Sequence, residues 1–525
     1  MSNTVNSIAT VPAAFAESVR RNASRIAVIA EDGSELSYAE LDQLRIYAAR
    51  ALLALDIKHG DRVAIWAQNC VEWMVAGLAI HSVGAVLVPI NTRMKGNEAS
   101  YVLEKSGARI LFCAGNFLGT HYPSLIAAEH WPKTLEHVIV LRDEQAGDTG
   151  WREFMAKADQ SHTEEVMKRA AVVTPDDRMD IMFTSGTTGR PKGVVTHHGQ
   201  NLRVIADWSA HMGLVPEDRY LIANPFFHTF GYKVGWLGSL MIGLTVLPHA
   251  IFDAGAILKR IATQRISVLP GPPTLFISLL NDPARATSDL SSLRATITGA
   301  ATIAPSLIER IRAELGFKIV LTAYGLTETC GVASMCKVDD DAETIALTSG
   351  TAIDDTEMRI VDSDNKPVAV GESGEIVIRG YNVMQCYLDD DKATAETIDK
   401  DGWLHTGDVG ILDARGYLKI TDRLKDMYIT GGFNCYPAEI ERIIAAHPAV
   451  AQIAIVGVPD ERQGEVGKAF VVARPGQQID DKEFITWCRE QMANYKVPRS
   501  VEVLAALPVN AGGKVMKFEL RKLSK

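Results

Sequence analysis

The segment from Thr184 to Gly193 has the residue types that hold a polyphosphate. It reads Thr-Ser-Gly-Thr-Thr-Gly-Arg-Pro-Lys-Gly and follows the apolar run 179–183. Glycines allow close backbone approach and positive φ, while hydroxyls and backbone N–H groups donate to phosphate oxygens and Lys192 offsets their charge. Pro191 stands where a Walker A loop needs glycine, so that interpretation loses its main support. The alternative is a flexible Gly/Thr connector.

Further motifs follow at a distance, and their order is informative. They are Tyr324-Gly325-Leu326-Thr327-Glu328, Thr406-Gly407-Asp408 with Asp413 and Gly416-Tyr417, Asp422-Arg423-Leu424-Lys425-Asp426 with Gly431-Gly432-Phe433-Asn434, and Gly512-Gly513-Lys514. In this order they resemble the adenylate-forming superfamily of acyl-CoA ligases, firefly luciferases and peptide-synthetase adenylation domains. The resemblance spans nearly the whole chain.

The resemblance implies an ATP site. Residues 184–192 would bind the β- and γ-phosphates, and Glu328 with Thr184 would hold Mg²⁺, which prefers oxygen ligands. Tyr324 would stack on adenine and Thr327 would contact the α-phosphate. Taken without the resemblance, Glu328 is a surface carboxylate and Tyr324 a core aromatic. The implied ATP- and AMP-binding residues are Thr184, Ser185, Gly186, Thr187, Thr188, Gly189, Lys192, Gly299, Ala300, Ala301, Tyr324, Gly325, Thr327, Asp408, Arg423, Lys425 and Lys514.

The second half of the chain supplies the implied ribose and hinge residues. Asp408 can accept two hydrogen bonds from the ribose diol, and Arg423 would add a contact. The alternative is a structural ion pair near the hinge. Lys425 matches the position about which a small C-terminal lobe rotates between adenylation and thioester formation, although a lysine there could equally be solvated.

Three further positions carry implied catalytic or CoA-binding roles. Lys514 would be the catalytic lysine that bridges the substrate carboxylate and the α-phosphate. The family usually has Ser or Thr where this chain has Gly512, which leaves the loop less restrained. Gly431 and Gly432 would line the path of the CoA pantetheine arm, with a simple turn as the alternative. His228 resembles a catalytic histidine beside the acyl and CoA tunnels, but its aromatic surroundings also suit plain core.

The predicted acyl pocket is mainly apolar or small. Its residues are Phe227, His228, Tyr232, Trp236, Thr274 and Leu326. We find no lysine or aspartate placed to fix the α-ammonium of an amino acid, and the stretch 515–525 is too short for a carrier domain. Together these two observations favour a free-standing ligase for an apolar or alicyclic acid. Segments 89–93, 431–439 and 514–518 are similar to bacterial ligases of the indane propionate left by steroid rings C and D. Medium- to long-chain fatty acids are the second substrate class, and a non-catalytic sensor of acyl-adenylate or acyl-CoA and a luciferase-like oxidation remain open.

Composition narrows the class of protein. Hydrophobic residues make up 47% and charged residues 22%, which is ordinary for a soluble globular protein with a sizeable core. The formal charge of -10 argues against nucleic acid or anionic membrane as partner. The seven cysteines show no metal or disulfide spacing, and neither a signal peptide nor a transmembrane run is evident. We therefore expect a cytoplasmic enzyme whose partners are a small carboxylic acid, ATP and CoA, with a homodimer left open.

Hydrophobic patterning predicts an α/β fold. Short apolar runs such as 62–66 and 137–141 alternate with helical patterns such as 71–84, which favours βαβ units and parallel sheets. From about residue 357 shorter strands with glycine turns predict an antiparallel sheet or small β-barrel-like part. The predicted domains are 1–424, which binds AMP and the acyl group, and, after a short hinge, a small mobile α+β domain at 425–525.

Overall fold

The computed structural model describes residues 10–127, 131–184, 191–299, 303–424, 426–430, 433–492, 494–509 and 515–524. Within them the helices are α1 (Val11–Asn22), α2 (Tyr38–Ala54), α3 (Val71–Ser82), α4 (Gly96–Ser106), α5 (Tyr122–Ala127), α6 (Trp151–Ala156), α7 (Thr163–Val172), α8 (His198–His211), α9 (Thr229–Gly231), α10 (Gly238–Ile242), α11 (Ala254–Gln264), α12 (Pro273–Asn281), α13 (Pro305–Leu315), α14 (Ala342–Leu347), α15 (Asp391–Thr397), α16 (Pro437–Ile444), α17 (Asp481–Gln491) and α18 (Lys517–Leu523). Short 3-10 helices cover Gln160–His162, Pro283–Thr287 and Thr327–Thr329, and a π-helix covers Tyr232–Leu237.

The strands of the described residues are β1 (Ile26–Ile29), β2 (Glu35–Ser37), β3 (Arg62–Trp66), β4 (Val86–Pro89), β5 (Ile110–Cys113), β6 (Asn116–Phe117), β7 (Thr120–His121), β8 (His137–Val140), β9 (Arg178–Thr184), β10 (Lys192–His197), β11 (Arg219–Ile222), β12 (Thr245–Pro248), β13 (Ala295–Thr298), β14 (Ile319–Tyr324), β15 (Ser334–Met335), β16 (Thr351–Ala352), β17 (Thr356–Val361), β18 (Gly374–Gly380), β19 (Cys386–Tyr387), β20 (Leu404–Leu412), β21 (Leu418–Arg423), β22 (Tyr428–Thr430), β23 (Phe433–Cys435), β24 (Val450–Asp460), β25 (Gly464–Ala473) and β26 (Ser500–Val503).

The largest sheet has the strand order β19-β10-β9-β4-β3-β5-β8. Strands β9, β4, β3, β5 and β8 are parallel. β4 and β5 are buried along their whole length, which is typical of parallel strands covered by helices on both faces. At one edge β10 and then β19 add in antiparallel orientation, and β9 and β10 carry Thr184 and Lys192, which lie at the ends of the Thr/Gly-rich segment.

A second layer joins two shorter sheets, β11-β12-β1-β2 and β13-β14-β15-β16. Val268 connects them because it forms parallel bridges with Tyr220 on β11 and Ala295 on β13. Val268 itself lies outside the named strands and joins the sheets through these two bridges alone among the described residues. The parallel pair β13 and β14 ends at Thr298 and Tyr324, so the two loops that follow start side by side.

The region after residue 355 changes from parallel to antiparallel pairing. Strands β17, β18, β20 and β21 form a four-stranded antiparallel sheet, which is the part that the glycine-rich spacing predicted. Tyr324 packs with Ile376, Ile378 and Leu418 of this sheet. The sheet thus shares its core with the end of β14.

The C-terminal part is an α+β unit. Its sheet has the order β23-β22-β25-β24, with β26 parallel to β25. Helices α16 and α17 cover it, and Tyr428, Ile440, Ile455, Val471 and Phe484 belong to its own buried core. The α/β fold class predicted from the sequence is confirmed. Among the residues described, no helix has both the length and the apolar character needed to cross a bilayer.

Candidate active site

The segment with polyphosphate-binding composition starts and ends in an antiparallel hairpin. Thr184 at the end of β9 lies opposite Lys192 at the start of β10. The hydroxyl of Tyr101 donates to the carbonyl of Pro191 at 3.2 Å, which anchors the returning strand. A hairpin differs from the strand-to-helix turn of a P-loop, in agreement with rejection of the Walker A interpretation. Ser185, Gly186, Thr187, Thr188 and Gly189 lie outside the described residues.

Lys192 and Glu328 are linked by a residue that sequence reasoning missed. The Lys192 Nζ lies 4.8 Å from the centre of the Tyr387 ring, and the Tyr387 hydroxyl donates to Glu328 Oε1 at 2.8 Å. Burial and the charge of Glu328 raise the pKa of Tyr387, so the phenol stays protonated and can donate. The predicted phosphate lysine and the predicted metal carboxylate therefore belong to one cluster.

Glu328 lies on the 3-10 helix Thr327–Thr329, which follows a tight turn after β14. Gly325 is required there because a Cβ would lie 2.2 Å from the carbonyl oxygen of Gly331. The turn is closed by the Leu326 amide, which donates to Thr329 Oγ1 at 2.9 Å. Thr327 and Glu328 keep partial exposure, so both can reach a ligand.

Tyr324 and Asp408 form a buried hydrogen-bonded pair. The Tyr324 hydroxyl donates to Asp408 Oδ2 at 2.7 Å, and the two residues are 9% and 3% exposed. Asp408 lies on β20 opposite Arg423 on β21, whose side chain is outside what the structure describes. Tyr324 can therefore be both a core aromatic residue and a site residue. Its ring packs in the core, while its hydroxyl contacts Asp408, the predicted ribose-binding residue.

Gly299 follows β13 directly and lies beside Ala323, the residue before Tyr324. A Cβ at Gly299 would lie 3.3 Å from the carbonyl oxygen of Ala323, so the two chain segments run close together. Thr298 Oγ1 is buried and has no hydrogen-bond partner among the residues that the structure describes. The next two predicted positions, Ala300 and Ala301, lie outside the described residues.

His228 caps helix α9, and its surroundings suit a cleft. Its Nδ1 accepts from the Phe230 amide at 3.2 Å. The residue keeps exposed surface, while the protein atoms packed around the imidazole displace part of its hydration; this lowers the pKa of His228 and favours the neutral form. The neighbouring Thr229 lies against Gly331, because a Cβ added at Gly331 would be 3.0 Å from the Cβ of Thr229. His228 is therefore one residue from a contact with the turn that carries Glu328.

The segment that leads to His228 is held by Asn69, a second residue that the sequence did not reveal. Asn69 Oδ1 accepts from the Phe226 amide at 2.8 Å. Its Nδ2 donates to the carbonyls of Ile222, Asn224 and His249 at 3.1, 2.9 and 3.1 Å. Because Asn69 is only 5% exposed, these bonds fix the loops after β11 and β12 to the largest sheet.

Two of the predicted acyl-pocket residues are corrected by the structure. Tyr232 and Trp236 have no exposed surface and pack with Trp73, at ring-centre distances of 5.8 and 5.7 Å. The Tyr232 hydroxyl also lies 2.8 Å from His81 Nε2. They form an aromatic core and do not line an open cavity, because residues that line one keep accessible surface.

The remaining pocket residues differ in exposure. Phe227 and Leu326 are half-buried and Thr274 is exposed, so these three can border a binding cavity. The buried Lys233 Nζ lies 3.2 Å from Asp180 Oδ2, and neither side chain has meaningful exposure. The pair is buried and internally neutralised, so it cannot serve a charged ligand.

The predicted hinge and the catalytic lysine are bracketed by described residues. Asp422 Oδ2 accepts from the Ala438 amide at the start of α16 at 2.9 Å. Val509 and Val515 form an antiparallel bridge on either side of the segment with the predicted catalytic lysine. Lys425, Gly431, Gly432 and Lys514 themselves lie outside the described residues.

Comparison with known sequences agrees with this arrangement. A family model described as AMP-binding enzyme matches residues 15–388, and one described as AMP-binding enzyme C-terminal domain matches residues 439–514. The chain is 50% identical to a 3-[(3aS,4S,7aS)-7a-methyl-1,5-dioxo-octahydro-1H-inden-4-yl]propanoyl:CoA ligase of Mycobacterium tuberculosis, with 99% of this chain and 100% of the relative covered. It is 48% identical to the ligase of the same name from Rhodococcus jostii, with 98% and 99% covered.

Solved structures give the same result at the level of the fold. An anthranilate CoA ligase, AuaEII, in complex with anthranoyl-AMP is similar with a TM-score of 0.88 and 25% identity, over 98% of this chain and 97% of that one. ATP-bound MatB from Rhodopseudomonas palustris is similar with a TM-score of 0.86 and 30% identity, over 98% and 99%.

Proposed function

Because the chain belongs to the AMP-binding enzymes and is an acyl-CoA ligase of that family, we propose that it activates its acid through an acyl-adenylate. A carboxylate oxygen of the acid attacks the α-phosphorus of ATP, and pyrophosphate leaves. The thiol of CoA then loses its proton and attacks the acyl carbon, and AMP leaves. Both steps depend on positioning and on charge neutralisation more than on a covalent protein group.

The observation that carries this proposal is the contact between the β9–β10 hairpin and the Glu328 turn. Tyr387 bridges Lys192 and Glu328, which brings a cation and a carboxylate to the strand ends that border the Thr/Gly-rich segment. A triphosphate needs this combination, because a lysine can neutralise phosphate oxygens while a carboxylate holds their divalent cation.

Mg²⁺ fits the donor set of the site. Substrate phosphates commonly supply several ligands of Mg²⁺, so one protein carboxylate with a hydroxyl can be enough. Glu328, assisted by Thr184, would hold the cation, which would neutralise charge that develops on the phosphates. Partial exposure of Glu328 supports this assignment.

We assign the nucleoside to the Tyr324–Asp408 pair. The carboxylate of Asp408 would accept from the ribose hydroxyls, with Arg423 nearby, while the Tyr324 ring and the Gly299–Ala301 turn would border adenine. Thr327 would donate to the α-phosphate. The hydrogen bond between Tyr324 and Asp408 supports a joint role, because it fixes the Tyr324 ring relative to the carboxylate that would bind the ribose.

We further propose domains 1–424 and 425–525, with rotation about Lys425. Separate hydrophobic cores on the two sides of this boundary support the division. Lys514 would serve adenylation, and Gly431 and Gly432 would admit the pantetheine arm in thioester formation. His228, with its lowered pKa, would border both the acyl group and CoA as a neutral imidazole.

For the acid we propose the dioxo-octahydroindenyl propionate named in the two bacterial relatives. Identity of 50% and 48% over almost full length supports it. Medium- or long-chain fatty acids are the second candidate class. Phe227, Thr274 and Leu326 would contact the acyl group.

The test is release of AMP and pyrophosphate by purified protein with ATP, Mg²⁺ and a panel of indane, aromatic and fatty acids. We expect release only when an acid is present, fastest with the indane propionate. ADP as the product would refute adenylation, and a preference for fatty acids would refute the substrate. Nucleotide binding without turnover on any acid would favour the sensor, and oxygen uptake during turnover would favour the luciferase-like alternative.

We also propose a cytoplasmic location, supported by seven free cysteines, of which six are buried. A homodimer is a second proposal, and the mass of the protein in solution would decide it.

A further inference from the structure

Tyr387 contacts two predicted ligand-binding residues from one side chain. Its hydroxyl donates to Glu328 Oε1 at 2.8 Å, and its ring lies under the Lys192 ammonium with Nζ 4.8 Å from the ring centre. Only 6% of the residue is exposed, so water competes weakly for either contact. Neither partner is close to Tyr387 in sequence.

The backbone around Tyr387 holds this side chain in place. The Met384 amide donates to the Glu328 carbonyl at 2.8 Å, and the Leu388 amide donates to the Gly193 carbonyl at 2.7 Å. Tyr387 also pairs with Val194 across the sheet. The segment 384–388 is thus tied at one end to the Glu328 turn and at the other to the hairpin.

The two contacts have distinct physical effects. A hydrogen bond to one carboxylate oxygen restricts rotation of the Glu328 carboxylate, while Oε2 has no hydrogen-bond partner among the residues that the structure describes. A cation over an aromatic face is attracted by the ring quadrupole, which restrains the lysine without neutralising its charge. Both groups therefore keep their charge available for a ligand.

We propose that Tyr387 is a positioning residue for adenylation, whose hydroxyl orients Glu328 toward the Mg²⁺ of MgATP and whose ring holds Lys192 at the terminal phosphates. The inference rests on the proposed function for the ligands of Glu328 and Lys192. It adds a single side chain that couples metal binding to phosphate binding.

The first test is titration calorimetry of ATP binding to Tyr387→Phe at a series of Mg²⁺ concentrations. This variant keeps the ring and loses the hydrogen bond, so the Mg²⁺ concentration that gives half of the maximal affinity gain should rise about tenfold. Affinity for ATP without Mg²⁺ should stay unchanged. The titration needs no acid, so failure of the proposed substrate would leave it interpretable.

The second test separates the ring from the hydroxyl. Tyr387→Leu should also weaken ATP binding without Mg²⁺, by about two- to fivefold, because Lys192 loses its aromatic contact. Tyr417→Phe is the matched control, since Tyr417 is also 6% exposed and donates to a carboxylate, Asp340, at 2.7 Å. It should change neither affinity.

Three results would overturn the inference. One is a folded Tyr387→Phe protein, checked by thermal unfolding, with the wild-type Mg²⁺ dependence. Another is an equal loss of ATP affinity with and without Mg²⁺ in that variant, which would indicate a general structural role. The third is a Tyr417→Phe protein with the same changed Mg²⁺ dependence. If Tyr387→Leu does not fold, Tyr387→Phe alone decides the role of the hydroxyl.

Discussion

The Tyr324–Asp408 hydrogen bond permits a sharp test of how the nucleoside is held. Asp408 could bind the ribose itself, or it could act only by fixing the Tyr324 ring. Tyr324→Phe removes the hydrogen bond and keeps both the ring and the carboxylate. Asp408→Ala removes the hydrogen bond and the carboxylate, so a contact of this carboxylate with the ribose should make its loss of ATP affinity the larger of the two.

The expected magnitudes follow from the burial of the pair. A hydrogen bond to a charged group contributes about 1.5–3 kcal/mol, and an unpaired buried hydroxyl costs about 1–3 kcal/mol, so both variants should lose stability by about this amount. If Asp408 accepts even one hydrogen bond from the ribose, Asp408→Ala should raise the Kd for ATP by about 10- to 100-fold, since about 1.4 kcal/mol corresponds to a factor of ten. Tyr324→Phe should raise it by less than about fivefold.

The assay is a double-mutant cycle with calorimetric ATP binding and urea unfolding as separate readouts. Asp340→Ala is the control, because Asp340 accepts the same kind of bond from Tyr417 at 2.7 Å outside the predicted site. It should lose stability and keep its ATP affinity. If the two site variants weaken ATP binding equally, and the double variant adds nothing, Asp408 acts only through Tyr324 and its assignment to the ribose is wrong.

Three other predictions concern the catalytic cycle, a positioning residue and pH. In single-turnover assays Lys514→Ala should lose about 10²- to 10³-fold in adenylation but still convert supplied acyl-AMP, whereas Gly432→Leu should do the reverse; equal loss of both steps would contradict a two-conformation cycle. Asn69→Ala should lower the free energy of unfolding by about 1–3 kcal/mol and raise the KM for the acid more than that for ATP; equal changes in both KM values would exclude a role in positioning His228. Burial lowers the pKa of His198 from 6.5 to about 3, so the free energy of unfolding should decrease as the pH falls through this range. His198→Asn should reduce the slope of unfolding free energy against pH by up to about 1.4 kcal/mol per pH unit. An unchanged slope would contradict this role of His198.

Much of the fold could be predicted because its signals are local. The run Arg62–Trp66 is apolar and β-branched, and it is strand β3 with the predicted bounds. The helical pattern predicted at 71–84 is helix α3, which ends two residues earlier, at Ser82. Glycine-rich turns between short strands likewise predicted the antiparallel sheet, since turn residues act on their immediate neighbours.

The motifs predicted the chemistry of the site but only part of its geometry. Residue type and order were enough to identify the family, because a phosphate-binding segment and a Tyr-Gly-x-Thr-Glu turn are continuous in sequence. Exposure was harder to predict. Tyr232 and Trp236 have the composition of a pocket wall, yet they pack against Trp73 in the core, because an aromatic run suits either environment.

Sequence alone determined the class of enzyme, and the tertiary structure decided which side chains position the predicted ligand-binding residues. Tyr387 lies 59 residues from Glu328, Asp408 lies 84 from Tyr324, and Asn69 lies 157 from Phe226. These bonds leave no periodicity or spacing in the chain, since a hydrogen bond depends on the distance between two groups in space. Only the packing of the sheets brings such partners together, and for that reason the positioning residues became visible in the fold and not in the motifs.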